Sequence, residues 1–106
     1  MDWIKIFDTV DESNSILAEG APRLLIVRNK RICLTRFNGK LLAVQDKCTH
    51  NGESLSKGRV NYLGEIICPW HGYRFNLKTG QECLQQSRDL ECFPIRESDE
   101  GVFIGL

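Results

Sequence analysis

Both histidines of this 106-residue chain sit beside cysteines, in Cys48-Thr49-His50 and in Cys68-Pro69-Trp70-His71, with seventeen residues between the two groups. They read as a metal site with one thiolate and one imidazole on each of two loops, so the fold must bring two separate loops to one place. In a structural zinc site the paired ligands usually lie at least two residues apart and converge on one ion. A Cys-x-His pair has one intervening residue, and its side chains reach two neighbouring metals more comfortably than one. A dinuclear cluster therefore suits the spacing best. A mononuclear Cys2His2 zinc site stabilising an interaction module, and a chance proximity of core cysteines and surface histidines, stay open as other readings.

The length leaves room for one domain and one modest core. Fourteen basic and fourteen acidic residues give a formal charge of zero, which argues against nucleic acid as a partner. No apolar run approaches a membrane span, and Met1–Asp8 lacks the basic start and long apolar stretch of a secretory signal. The expectation is a cytoplasmic protein that does not meet a membrane. The zero balance hides a pattern. Residues 1–20 carry five acids against Lys5 and residues 81–106 six against Arg88 and Arg96, while 21–80 hold eleven bases and three acids. Termini lying together would give the molecule a dipole able to orient it toward a partner.

Short β-branched and aromatic runs recur at Trp3–Phe7, Leu24–Val27, Arg31–Phe37, Lys40–Val44, Glu65–Cys68, Tyr73–Phe75, Cys92–Ile95 and Val102–Ile104, an all-β rhythm. Asn38-Gly39 between two such runs predicts a type I′ hairpin turn, which needs positive φ at both central residues. Arg28-Asn29-Lys30 and Ser98–Gly101 are expected to turn two further hairpins, and Asp11–Glu19 is the one stretch suited to a short helix.

Through Cys48-Thr-His50-Asn-Gly52-Glu-Ser-Leu55-Ser-Lys-Gly58 and Cys68-Pro69-Trp70-His71-Gly72-Tyr-Arg-Phe75-Asn-Leu-Lys-Thr-Gly80, about a third of the chain resembles the Rieske [2Fe-2S] proteins. In that family two His replace two Cys on one of the irons. The resemblance implies a single domain over residues 1–106, an antiparallel β base with a small cluster-binding subdomain inserted over about residues 45–80. It also implies one [2Fe-2S] cluster, with Cys48 and Cys68 on the inner iron and His50 and His71 on the outer. Gly52 and Gly72 would let the loops fold closely around it, and Pro69 would stiffen the second loop. Two ferric ions, two sulfides and two thiolates sum formally to zero, whereas four thiolates would leave a dianion. Such clusters accordingly take up an electron at roughly −150 to +300 mV, against about −400 mV for plant-type ferredoxins.

High-potential members of the family carry an extra disulfide between the loops and a Ser and a Tyr hydroxyl near the sulfurs. Here Glu53 and Trp70 occupy the disulfide positions, Tyr73 replaces the Ser and Phe75 the Tyr. Phenylalanine cannot donate a hydrogen bond, and Tyr73 is too long to reproduce the serine's. These changes predict a low-potential member, near the bottom of the range. Trp70, between two candidate ligands, is expected at the rim of the site. Cys33 and Cys92 fall in strand patterns and read as small buried residues, and Cys83 as more exposed. With His50 and His71 assigned, no histidine remains for the mononuclear iron of a ring oxygenase, and no flavin- or nucleotide-binding fingerprint is present. The resemblance thus implies a ferredoxin rather than an enzyme: a monomeric electron carrier meeting a flavin-dependent NAD(P)H reductase and a terminal oxygenase transiently. The alternative is a permanent Rieske-like small subunit of a larger oxidoreductase, such as an assimilatory nitrite reductase.

Overall fold

Two asparagine-bearing turns set up the central sheet. In the computed structural model, which describes residues Met1–Leu106, Asn38 and Gly39 have φ of 52° and 79° and close β3 (Lys30–Phe37) onto β4 (Lys40–Gln45) with Phe37 opposite Lys40. Arg28 and Asn29, at φ 50° and 65°, do the same between β2 (Arg23–Val27) and β3, with Val27 opposite Lys30. Both turns have the left-handed pair of a type I′ hairpin, whose twist matches that of the strands. Lys30 therefore belongs to a strand and not to the turn.

The architecture is all-β, in three antiparallel sheets. β1 (Trp3–Phe7), β10 (Gly101–Gly105) and β9 (Ile95–Ser98) form one, in the order β1-β10-β9; the second runs β2-β3-β4-β8, where β8 is Cys92–Phe93. The third, β5-β6-β7, comprises Arg59–Val60, Glu65–Ile67 and Arg74–Asn76. Pairing of β1 with β10 brings the first and last strands of the chain together.

The run expected as one strand over Cys92–Ile95 is broken at Pro94, which has no N–H to give to a ladder. Its two halves join different sheets, Cys92–Phe93 pairing with β4 and Ile95–Ser98 with β10. The helix, α1, is also shorter than Asp11–Glu19, spanning Val10–Ile16. Thr9 caps it, accepting from Glu12 N at 3.0 Å. It stops early because Glu19 is used elsewhere: its carboxylate accepts from Asn38 N at 2.6 Å and Gly39 N at 3.1 Å, tying the helix exit to the hairpin turn.

The central sheet is covered on both faces, which is why β3 shows an unbroken buried run, Ile32–Thr35, rather than alternation. Ile32, Leu34, Leu41 and Ala43 pack with Leu17, Phe93, Val102 and Ile104 on one side. On the other, Cys33 and Val44 meet Leu55, Ile66, Phe75, Leu77, Leu90 and the two motif cysteines. The second core is the floor beneath the candidate site.

Candidate metal centre

The two motif loops close in the same way. Residues 48–53 follow β4 and lie between the bridged pair Lys47 and Ser54; Cys48 N–H donates to Glu53 O at 2.9 Å and Gly52 N–H to Cys48 O at 2.8 Å. Residues 68–73 form the tip of the β6–β7 hairpin between Ile67 and Arg74, and Cys68 N–H donates to Tyr73 O at 2.8 Å. Each cysteine thus ties its backbone to the residue five positions on. Chain reversal within such short loops needs left-handed backbone, supplied by Gly52 at φ 79° and by His71 and Gly72 at φ 72° and 71°. For a histidine this conformation costs on the order of 1 kcal/mol or more, and it persists where the surroundings over-determine it.

These loops sort the four side chains by depth. Cys48 and Cys68 are each 1% exposed and pack with Leu55, Ile66, Phe75 and Leu77. His50 and His71 are exposed, with ring centroids 5.6 Å apart and planes at 76°. A dry thiol pair lies below a wet imidazole pair. Burial pushes the Cys68 thiol up, with Cys48 alongside adding to the shift, so a proton leaves this sulfur readily only if a cation takes its place. No three Cys, His, Asp or Glu side chains stand close enough together to hold a single ion.

Aromatic rings frame the imidazoles. Tyr73 lies flat on His50, with centroids 3.8 Å apart and planes at 3°, so its ring is committed to the histidine. Phe75 is fully buried in the same core as both cysteines and presents only carbon there. Trp70 is 56% exposed and stacks on His71 at 4.9 Å, the rim position expected of it.

A third wall had no signal in the sequence. Residues 82–88 carry no metal-ligand pattern, yet Gln85–Arg88 line a cavity with Thr49 and His50, and Glu82, Leu84 and Gln86 line another with His71 and Tyr73. The Thr49 hydroxyl meets Ser87 Oγ and donates to Arg88 O, both at 2.6 Å. Glu82, 2% exposed, shapes the turn by accepting from Leu84 N and Gln86 N, each at 2.6 Å. Its burial is explicable, since both carboxylate oxygens are bonded within the loop they organise.

A family model described as "Rieske [2Fe-2S] domain" matches residues 7–94, most of the chain. The chain belongs to the Rieske [2Fe-2S] family. It is 33% identical over 76 residues to the 3-phenylpropionate/cinnamic acid dioxygenase ferredoxin subunit of Escherichia coli K12, covering 71% of this chain and 72% of that protein. The namesake subunit of Photorhabdus laumondii is 32% identical over 74 residues, 69% and 70% of the two chains. Among solved structures, the ferredoxin of carbazole 1,9a-dioxygenase from Nocardioides aromaticivorans IC177 superposes with a TM-score of 0.83 at 20% identity, over 99% of this chain and 98% of that one. A chain from a complex of reduced oxygenase and oxidised ferredoxin in carbazole 1,9a-dioxygenase gives 0.81 at 26%, over 97% and 92%. Membership implies a [2Fe-2S] cluster, and the donor set fits one: two buried sulfurs and two outward imidazoles match the two Cys and two His of this class.

The other three cysteines lie outside the two motif loops. Cys33 is buried as expected, its thiol pushed up to about 12 by burial. Cys92 is not buried but exposed, because β8 is the edge strand and solvent reaches its side chain. Cys83 is half-buried, donates to Glu65 Oε2 at 2.8 Å and is pushed up to about 11, chiefly by burial, so it remains a thiol at neutral pH.

The bonds from Cys83 and Asn61, and then the Arg74 guanidinium, hold the Glu65 carboxyl below its ordinary 4.5. A carboxylate with a depressed folded-state pKa contributes stability above its unfolded value and loses it as pH falls through the folded one. The stability advantage of the native chain over Glu65→Gln is therefore expected to be full at pH 7 and to shrink as pH falls below about 4.5. Urea denaturation at both ends checks this; an advantage that stayed constant would show that the charge of Glu65 contributes nothing.

Proposed function

We propose that this chain is a one-electron carrier holding one [2Fe-2S] cluster, with Cys48 and Cys68 binding the inner iron and His50 and His71 the outer. It takes electrons from a flavin-dependent NAD(P)H reductase and delivers them to a terminal ring oxygenase, in the cytoplasm and as a monomer. The whole chain, residues 1–106, would form one domain, with residues 45–80 its cluster-binding part. The carrying observation is the layered donor set, with two thiols dry in the core and two imidazoles at the surface, in a chain whose relatives are dioxygenase ferredoxin subunits. When bound, the cluster supplies a single-electron couple.

The protein's own residues supply the rest. Phe75, Leu55 and Leu77 keep water from the thiolate side, which disfavours added negative charge there. His50 and His71 offer the exposed edge through which an electron has the shortest path to a partner, and Trp70 and Leu84, 56% and 65% exposed, give that edge an apolar rim. A small interface built on such a rim suits a transient exchange. The first and last strands of the chain pair in the sheet β1-β10-β9, while both motif loops come from the basic middle of the sequence, with Glu82 of the acid-rich C-terminal part beside His71.

Low-temperature electron paramagnetic resonance of the reduced protein is expected to give a rhombic spectrum of inequivalent irons, and titration a midpoint near the bottom of the range of roughly −150 to +300 mV. A midpoint above about +100 mV would contradict the tuning by Phe75, Tyr73 and Glu53. NADH-driven turnover of a ring oxygenase, dependent on adding this chain to the reductase, tests the placement between the two. Stable co-purification with a large enzyme would favour the permanent subunit instead.

A further inference from the structure

Asn51 lies in the first loop, between His50 and Gly52, and its side-chain amide reaches across to the second. Nδ2 lies 3.2 Å from Trp70 O and 3.8 Å from Cys68 Sγ, while Oδ1 accepts from Glu53 N at 2.9 Å and lies 3.7 Å from the same sulfur. The amide orientation is fixed by its partners: Glu53 N–H can only donate and the Trp70 carbonyl can only accept, so oxygen and nitrogen cannot be exchanged. Of the two contacts with sulfur, only one survives metal binding. A ligating cysteine is a thiolate, which has no proton to give to Oδ1 but readily accepts one from Nδ2.

We infer that Asn51 is a positioning residue for electron transfer, holding an amide proton on the Cys68 sulfur while clamping the two motif loops together through Trp70 O. The inference rests on the proposed ligand set. No bond is made or broken at Asn51 and both its amide protons stay in place; one electron, supplied by the reductase, places added negative charge partly on the ligand sulfurs. A hydrogen bond to a sulfur is stronger the more negative that sulfur, so the amide stabilises the reduced form more than the oxidised and raises the midpoint. It works against the lowering effect of Phe75 and Tyr73, neither of which brings a donor to the sulfurs. This makes Asn51 a side-chain donor that replaces, from the opposite loop, part of what the second loop has lost.

The test uses the holoprotein and two variants. Asn51→Ala removes the amide, and Asn51→Asp keeps an acceptor for Glu53 N–H but offers no proton to the sulfur. Both are expected to lower the midpoint, Asn51→Ala by a threefold to tenfold change in the reduced-to-oxidised ratio at fixed potential, about 30–60 mV at 59 mV per tenfold for one electron. Asn51→Asp should fall further because it adds charge. The iron–cysteine stretching bands of the native protein should also shift between H2O and D2O, and shift less in either variant. These readouts separate the sulfur contact from a merely mechanical tie. Midpoints within twofold of the native ratio, about 18 mV, or an unchanged deuterium effect, would overturn the contact and leave the ligand assignment standing. Loss of cluster from both variants with the chains still folded would reduce Asn51 to a loop tie and overturn it as well. A native protein without the Rieske spectrum would overturn the ligand assignment and this inference together.

Discussion

Serine in place of Cys48 or Cys68 is expected to remove the iron and the visible colour almost completely, with at least a tenfold fall in iron and sulfide per chain, while the polypeptide still folds. The two halves of that expectation have separate causes. Serine's hydroxyl is far harder to deprotonate than a thiol and is a harder donor, so it is a poor substitute where soft thiolate is the preferred ligand. The fold survives because the change is nearly isosteric. Placing a hydroxyl among Leu55, Ile66 and Phe75 costs about 1–3 kcal/mol by protein mutational measures, within the usual stability margin of a domain.

His50→Ala and His71→Ala should also lose the cluster, and they test ligation more cleanly, since both side chains are exposed and carry little core packing. The control lies in the same chain: Cys33→Ser, Cys83→Ser and Cys92→Ser should keep full iron. Iron and sulfide analysis with absorbance in the visible reads all seven variants, and circular dichroism follows the fold. Full iron in any of the four motif variants would remove that residue from the ligand set.

How much of this could be read beforehand depended on whether a feature is local in the chain. The hairpin turn at Asn38-Gly39 was legible because two consecutive positive φ angles are a property of two residues. The ligand pairs were legible because donors one or two residues apart carry their own geometry. Features that depend on what meets across the fold were not. Nothing near Glu19 announces that its carboxylate will cap a turn twenty residues on, so a helix drawn from local pattern ran past Ile16. Cys92 looked like a core residue because its strand has a core composition, but it falls in the last strand of its sheet, and edge position is a matter of topology. The run Cys92–Ile95 reads locally as one strand, and only the structure assigns the two flanks of Pro94 to different sheets. The loop at 82–88 had no signal at all. Its role comes from Thr49 and from the packing beside the histidines, both contacts between residues far apart in sequence.

Asp46 illustrates the same dependence with a large consequence for stability, since Asp46→Ala is expected to cost about 3 kcal/mol and to lower the melting temperature of the apoprotein by roughly 10–20 °C. Its side chain is 1% exposed and joins the central sheet to the segment leaving the first loop. Oδ1 accepts from Ser56 N at 2.8 Å, Oδ2 accepts from the Ser54 hydroxyl, and Arg31 Nη2 stands 3.4 Å from Oδ2. The Arg31 contact adds little, because that side chain is half in water. The cost comes chiefly from the Ser56 N–H, which alanine would leave without its acceptor, and from the Ser54 hydroxyl, which would keep only Ser56 Oγ at 3.0 Å. Asp46→Asn keeps Oδ1 for Ser56 N–H, and the Ser54 hydroxyl can turn to accept from the new amide, so it should cost less than half as much. Differential scanning calorimetry of the two apoproteins distinguishes the cases. Equal losses would mean that charge, acting through Arg31, matters more than satisfied hydrogen bonds, whereas the expected inequality makes Asp46 a rigid hinge pin whose oxygens set the path of the chain out of the Cys48 loop.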